Sequence, residues 1–488
     1  MPSRHLVPAL FLLACGPGPV ATETLDTATA QADTGATTGD PSGPAAATTV
    51  DEPTSEPVPS TSTSGPPPGT TGTSSGATDS TATTGPLPID CATITIEDPV
   101  IHQYILLELK LEEGTVLTPE HAQMLTTLGV HWNDDDPVKS LSGLECFPNL
   151  RLLIINESVL TDLGPLSGLL LLERVDLRTS QVTDLTPLAE LPVFDSLSVT
   201  NGPLGDLGPV AAMPALTSLN ISGSAVQDLA PLAGHPTLDT LSAVGTMPLD
   251  LLPLAAAPAL AIVDLSACGL SDVAALAGMP QLFSLRVDDN ALTSLAGLEA
   301  TPTLTSLFAN RNKITSVAPL GAAASLTGLE LDGNEITSLK PLAGATALQV
   351  LRVRDNPLVS LAGVEALPVL LELSADDAGL KQLVAVAPQS LTALSITGNK
   401  IVDLTPLAGH QSLYSFAASD NAIVSLAPIQ QAPWILSGCH DIRLDGNPLD
   451  AQTLDELIPA MCITERFFME WDQGQCSPDG FRCGLSDP

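Results

Sequence analysis

The sequence predicts an α/β solenoid, a stack of near-identical coils that each contribute one short strand and one short helical turn. The first observation is a beat: Leu150, Leu172, Phe194, Leu216, Leu238, Leu260, Leu282, Leu304, Leu326, Leu348 and Leu370 recur 22 residues apart without a slip. The step then shortens to 21 at Leu391, resumes at Leu413 and lengthens to 26 at Cys439. Second, one clean copy from Leu326 to Ala347 reads Leu-x-x-Leu-x-Leu-x-x-Asn-x-Ile at its front, and the same columns return in the other copies. Third, apolar Leu329 and Leu331 alternate with Glu330 and Asp332, the period of a strand with one buried face. Units of this kind bury their apolar side only against their neighbours, so a chain of 488 residues can be one long array with flanking pieces.

Composition narrows the partners. Seventeen basic residues against 55 acidic ones give a formal charge of -38, which repels a phosphate backbone and an anionic membrane surface, so nucleic acid is not expected as a partner. Aromatic residues make up 3% of the chain, so the core layers should be aliphatic.

At the N-terminus, Arg4 precedes an apolar stretch from Leu6 to Ala14 that is too short to cross a bilayer as a helix and fits an export signal. The stretch closes on Leu12-Leu13-Ala14-Cys15, which resembles the lipobox of bacterial lipoproteins. That resemblance implies residues 1–15 as a lipoprotein signal peptide, Cys15 as the lipidated residue, and membrane attachment through lipid alone. The plainer alternative is an ordinary signal peptide with an incidental cysteine. Residues 16–88 are Thr, Ser, Pro, Gly, Ala and acids, without Lys or Arg, and cannot bury enough surface to fold. As a disordered tether they would reach roughly 45–50 Å. Dense Thr and Ser could carry O-glycans, although a bare tether suffices.

Residues 89–149 read as an N-terminal cap and first partial repeat. Asp98 and Thr118, each followed by Pro, are expected to cap helices running to about Leu111 and about Leu128. The array itself occupies 150–450, thirteen full coils from Leu150 flanked by partial ones, with a parallel sheet stepping about 4.8 Å per coil. Where the chain leaves each strand, a column reads Ser158, Ser180, Gly202, Ser224, Thr246 and Cys268, then Asn290, Asn312, Asn334, Asn356, Asn399, Asn421 and Asn447. A buried amide there can satisfy backbone groups at the turn, and Cys268 in the same column reads as a small core residue. On the return side, Asp162, Asp184, Asp206, Asp228, Asp250 and Asp272, continued by Ser294, Ser316, Ser338 and Ser360, are expected to cap a helical turn, often ahead of Leu-x-Pro-Leu. Aligned carboxylates could also attract Ca2+, but Ser takes over without other change, which favours capping. Residues 451–488 form a Cys-containing C-terminal cap, helix-like from Leu454 to Met461.

Residues 95–450 thus resemble an internalin-type bacterial leucine-rich-repeat protein, and the repeat unit is also similar to that of the leucine-rich-repeat regulatory subunit of protein phosphatase 1. The resemblance implies a curved horseshoe with its parallel sheet on a concave binding face, usually for a protein, and short helical turns on the convex side. It departs from the family at both ends: tether and lipid replace a cell-wall anchoring signal, and the C-terminal cap with Cys462, Cys476 and Cys483 matches none.

Setting aside Cys15 and Cys268, the six remaining cysteines lie at the two ends, where staples on the caps are expected: Cys91 with Cys146, Cys439 with Cys462, and Cys476 with Cys483, among fifteen possible pairings. No zinc-like spacing accompanies them, and no metal or cofactor is expected. Seven scattered histidines without a His-Glu-x-x-His, Gly-x-Ser-x-Gly or phosphate-binding loop give catalysis no support.

The partner-facing positions follow by register, two, four and six residues after each first leucine. In early coils they read Ser196, Ser198, Thr200, Ser218, Asn220, Ser222, Thr240 and Ser242, a neutral surface. From the seventh coil they become Arg286, Asp288, Phe308, Asn310, Glu330, Asp332, Arg352, Arg354, Glu372 and Asp376, joined at the next position by Asp289, Arg311, Asp355 and Asp377. Arginine beside an exposed aromatic is favoured at interface centres; a solvated face of cross-strand ion pairs is the alternative. The expected protein is therefore a non-enzymatic, lipid-anchored module of the bacterial cell envelope, monomeric, recognising a protein or surface glycan. An envelope spacer without a ligand, or a regulatory binder of an envelope enzyme, are the other readings.

Overall fold

The computed structural model describes residues 91–131, 136–246, 250–383, 390–436, 440–462, 467–472 and 474–476. Contacts divide the chain into residues 1–82 and 83–488, and every described residue lies in the second unit.

The alternating pattern does form strands. Among the described residues, sixteen short strands from Thr127–Val130 to Phe467–Trp471 pair with their sequence neighbours in parallel, and Gly474–Cys476 turns back antiparallel beside the last. Register follows the sequence beat: Leu307, Leu329 and Leu351 stand side by side. The 21-residue step leaves it intact, because Leu373 still pairs with Leu394. The 26-residue step preserves it too, Phe416 facing Ile442, with the helix Pro433–Leu436 lying within the added length. Trp434 on that helix is fully buried, edge-on to Phe416 at 6.1 Å, with its indole N–H donating to the Leu407 carbonyl at 3.1 Å.

On the return side most coils make one short 3-10 turn, such as Thr186–Leu188 and Lys340–Gly344. Capping occurs, but one residue earlier than expected. Asp184 precedes the N-cap Leu185, and its carboxylate accepts the first helical N–H, from Thr186 at 2.8 Å. Asp162, Asp206, Asp228, Asp250 and Asp272 do the same to the residue two ahead, and Ser294, Ser316, Ser338 and Ser360 take over with their hydroxyls. This is an Asx-type turn, which a short polar side chain forms locally and Ser reproduces more weakly. Among the described residues no cluster of three or more His, Cys, Asp or Glu could hold a metal ion.

The N-terminal edge is covered by α1 (Pro99–Glu108), which lies on the first strand and buries Val100, Ile101, Ile105 and Leu106. Asp98 caps α1 through Val100 N and Ile101 N, while its second oxygen accepts from Lys139 N at 2.7 Å, tying the cap to the first coil. Next, α2 (Pro119–Met124) is capped by Thr118 but stops short of the expected Leu128. Leu128 belongs to the first strand because its side chain completes the column that continues as Leu153 and Val175. A disulfide joins Cys91 to Cys146. The other two expected cysteine pairs, and Cys15, lie outside the described residues or side chains. Cys268 is buried and unbridged, its thiol pushed up by burial.

Candidate recognition surface

From the strand Arg174–Arg178 to the strand His440–Arg443, each coil carries a residue with left-handed backbone one to three positions after its strand. That column holds Thr179, Asn201, Gly223, Gly245, Ala267, Asp289, Arg311, Gly333, Asp355, Asp377, Gly398, Asp420 and Gly446, with φ between 50° and 71°. Gly, Asn and Asp accept such φ most readily, which accounts for the Asp-rich position beside the charged columns. The next residue is the ladder position. Asn334 accepts from Ile314 N of the preceding coil at 3.0 Å and donates to the carbonyls of Ala309 and Leu331, each at 2.9 Å. Asn290, Asn312, Asn356, Asn399, Asn421 and Asn447 repeat this bridge. In the earlier coils the Ser158 and Ser180 hydroxyls are buried without a hydrogen-bond partner. The later coils are therefore more tightly cross-stitched, and the charged face stands on them.

On that outward face the expected residues come together in rows. Arg286 lies between Asp264 at 3.9 Å and Asp288 at 2.8 Å, with its guanidinium 4.0 Å from the Phe308 ring. Arg311 pairs with Asp289 of the preceding coil. Arg352 bridges Glu330 at 2.5 Å and Glu372 at 2.8 Å, one coil to either side, and Arg354 pairs with Asp332 at 2.8 Å. Burial works against the Arg352 charge, yet Glu372 and Glu330 hold its pKa above the ordinary value; Arg354 is held likewise by Asp332. The hydrogen bond from Arg311 holds the Asp289 carboxyl below its usual range.

Several of these acids also hold backbone. Asp288 accepts from Asn310 N at 2.7 Å, Asn310 from Asp332 N at 2.8 Å, Asp332 from Arg354 N at 2.8 Å, and Asp376 from Thr397 N at 2.8 Å and the Ser395 hydroxyl at 2.6 Å. Asp288 and Asn310 are buried rather than presented, so the pre-ordered lattice offers the half-buried carboxylates of Glu330, Asp332, Glu372 and Asp376 and one arginine-stacked, half-buried aromatic. A shallow groove at its C-terminal part is lined by Arg354, Asp376, Thr397, Ser419 and Arg443. Arg443, paired with Asp441 at 3.3 Å, extends the row and was missed by the sequence reading. Counting four residues on from Cys439 would have found it.

The early coils are not uniformly neutral, contrary to expectation. The same register applied to Leu172 gives Arg174, Asp176 and Arg178 on one strand, and Thr200 is buried rather than presented. Asp176 lies beneath the two arginines, its side chain 5% exposed, at 3.9 Å and 3.5 Å from them.

No family model matches the chain, and no curated protein sequence matches it. Solved structures do. An internalin of Listeria monocytogenes, InlF, is 24% identical with a TM-score of 0.56, over 69% of this chain and 93% of its own. A leucine-rich-repeat protein of Leptospira interrogans is 17% identical with a TM-score of 0.59, over 72% and 97%. The functional domain of InlJ from Listeria monocytogenes, which includes a cysteine ladder, is 20% identical with a TM-score of 0.50, over 71% and 80%. With its regular strands, its short return turns and its open sheet, the chain has the internalin-type leucine-rich-repeat fold.

Proposed function

We propose that this protein is a non-enzymatic recognition module that binds another protein, or a surface glycan, through the outward, concave face of its sheet, and that lipid on Cys15 anchors it in the bacterial cell envelope. The observation that carries the reading is the continuous charged lattice from Arg286 to Asp376, raised on the coils whose asparagines lock strand to strand. The likeness in fold to bacterial internalins supports it. An envelope spacer is the second reading, and one observation favours it: each arginine of the lattice is already bonded to an acid of this chain.

Affinity capture from envelope extracts with the full chain tests the choice. A saturable partner lost on Arg352→Gln/Arg354→Gln supports recognition; unchanged capture removes this patch, and no partner at all favours the spacer. Charge reversal at the same sites is a poorer probe. Arg352→Glu would set a third carboxylate between Glu330 and Glu372, lowering stability as well as changing the face. Labelling with a fatty-acid probe tests the anchor, which predicts incorporation into the native chain and none into Cys15→Ala.

A further inference from the structure

We infer that Arg174 and Arg178 form a clamp for a single carboxylate, such as an Asp or Glu side chain of a partner protein, separate from the C-terminal charged lattice. On the strand Arg174–Arg178, Val175 and Leu177 face the core, so Arg174, Asp176 and Arg178 share the outward face. The two arginines are anchored about 13 Å apart along the strand, yet both guanidiniums lean in toward the carboxylate between them.

What distinguishes this pair is unused donors. Every other described arginine donates a hydrogen bond to a carboxylate. Arg174 stands 3.9 Å from Asp176, beyond hydrogen-bond length, and Arg178 stands at its limit of 3.5 Å; among the described residues neither donates a hydrogen bond. Both side chains are more than half exposed, at 52% and 59%. The Asp176 carboxylate is nine-tenths buried and one of its oxygens has no hydrogen-bond partner. A poorly satisfied buried ion is costly, and here it acts by drawing two cationic forks toward one point.

The charge count selects the ligand. Two guanidiniums over one carboxylate leave a local charge of +1, which one carboxylate neutralises. A doubly charged phosphate would be left uncompensated, and a polyanion would meet the chain's overall charge of -38. Half-buried Leu152 and Ile154 pair in register with Arg174 and Asp176, and the next coil offers neutral Ser196 and Ser198, so no acid from either flank fills the site.

The test is a titration of the full chain, labelled with 15N-arginine, by acetate and by sulfate at matched ionic strength, following the Nε–Hε resonances. Acetate should shift Arg174 and Arg178 saturably while Arg352 and Arg443 stay fixed, and sulfate should bind more weakly. Arg178→Gln and Arg174→Gln should each lower acetate affinity about tenfold or more. Arg178→Lys, which keeps the charge but loses the planar fork, should also weaken it. Unchanged circular dichroism shows that each variant is folded. A linear, unsaturating shift, equal shifts at all arginines, or tighter sulfate binding would overturn the assignment.

Discussion

Asn334→Ala is the sharpest test of what holds the coils together. Asn334 is buried, and its amide oxygen is the acceptor for Ile314 N at 3.0 Å, while its amide nitrogen donates to Ala309 and Leu331. Removing it does not orphan everything. The Ala309 carbonyl keeps Asn312, and the Leu331 carbonyl keeps Asn356. The Ile314 N–H has no such reserve and is left buried and unpaired. An orphaned buried donor costs about 1–3 kcal/mol, and the lost bonds to carbonyls add about 1 kcal/mol, so the substitution should cost about 2–4 kcal/mol. Chemical denaturation measures the total, and hydrogen exchange at Ile314 reports the site, where protection should collapse first. Ser180→Ala is the control. Its hydroxyl occupies the same column but is buried without a partner, so its removal should be neutral or stabilising. Equal costs for the two substitutions, or unchanged protection at Ile314, would refute the claim that the asparagines carry the cross-coil bonding.

Three further outcomes follow. Cys91→Ser/Cys146→Ser, or reductant, should destabilise the N-terminal cap by about 4 kcal/mol for a loop of 55 residues, and a melting curve indifferent to reductant would contradict this. His235 accepts from Leu238 N at 3.2 Å, and burial holds its pKa below 6.5. Its neutral form is therefore the folded one, so stability it contributes is present above the unfolded pKa and is lost as pH falls from there through the lower folded pKa; His235→Gln should flatten the fall in unfolding midpoint below about pH 6.5. Thr179, exposed and β-branched, carries φ 54°, so Thr179→Gly should stabilise by about 0.5–1 kcal/mol in thermal melts, where Gly245→Ala, at a φ of 71° with open space around the added methyl, should do the reverse.

Most of the fold was legible because a stack repeats one local rule. The beat located every strand of the array and the buried column, and local hydrogen bonding located the Asp row, although the cap sits one residue earlier because the carboxylate closes an Asx turn. The second cap helix was read too long for a specific reason. Leu125 and Leu128 suit a helical face, but pairing with Leu152–Ile155 claims Leu128 for the sheet. The candidate face was legible as a set of positions and not as a set of available charges. Arg352 shows why: its partners Glu330 and Glu372 lie 22 and 20 residues away along the chain, and only stacking makes them neighbours.

The sequence by itself determined coil length, register, the core columns and which residues point outward, because each depends on periodicity within one coil. The stacking of coils decided the rest: which arginines are spent on neighbouring acids, which asparagines bridge, and why Arg174 and Arg178 keep their donors. Those outcomes depend on side-chain distances within and between coils, where 1.1 Å separates the cross-coil Arg354 pair at 2.8 Å from the same-strand Arg174 contact at 3.9 Å. Hydrogen bonding falls away over that interval, and no spacing in the chain encodes it.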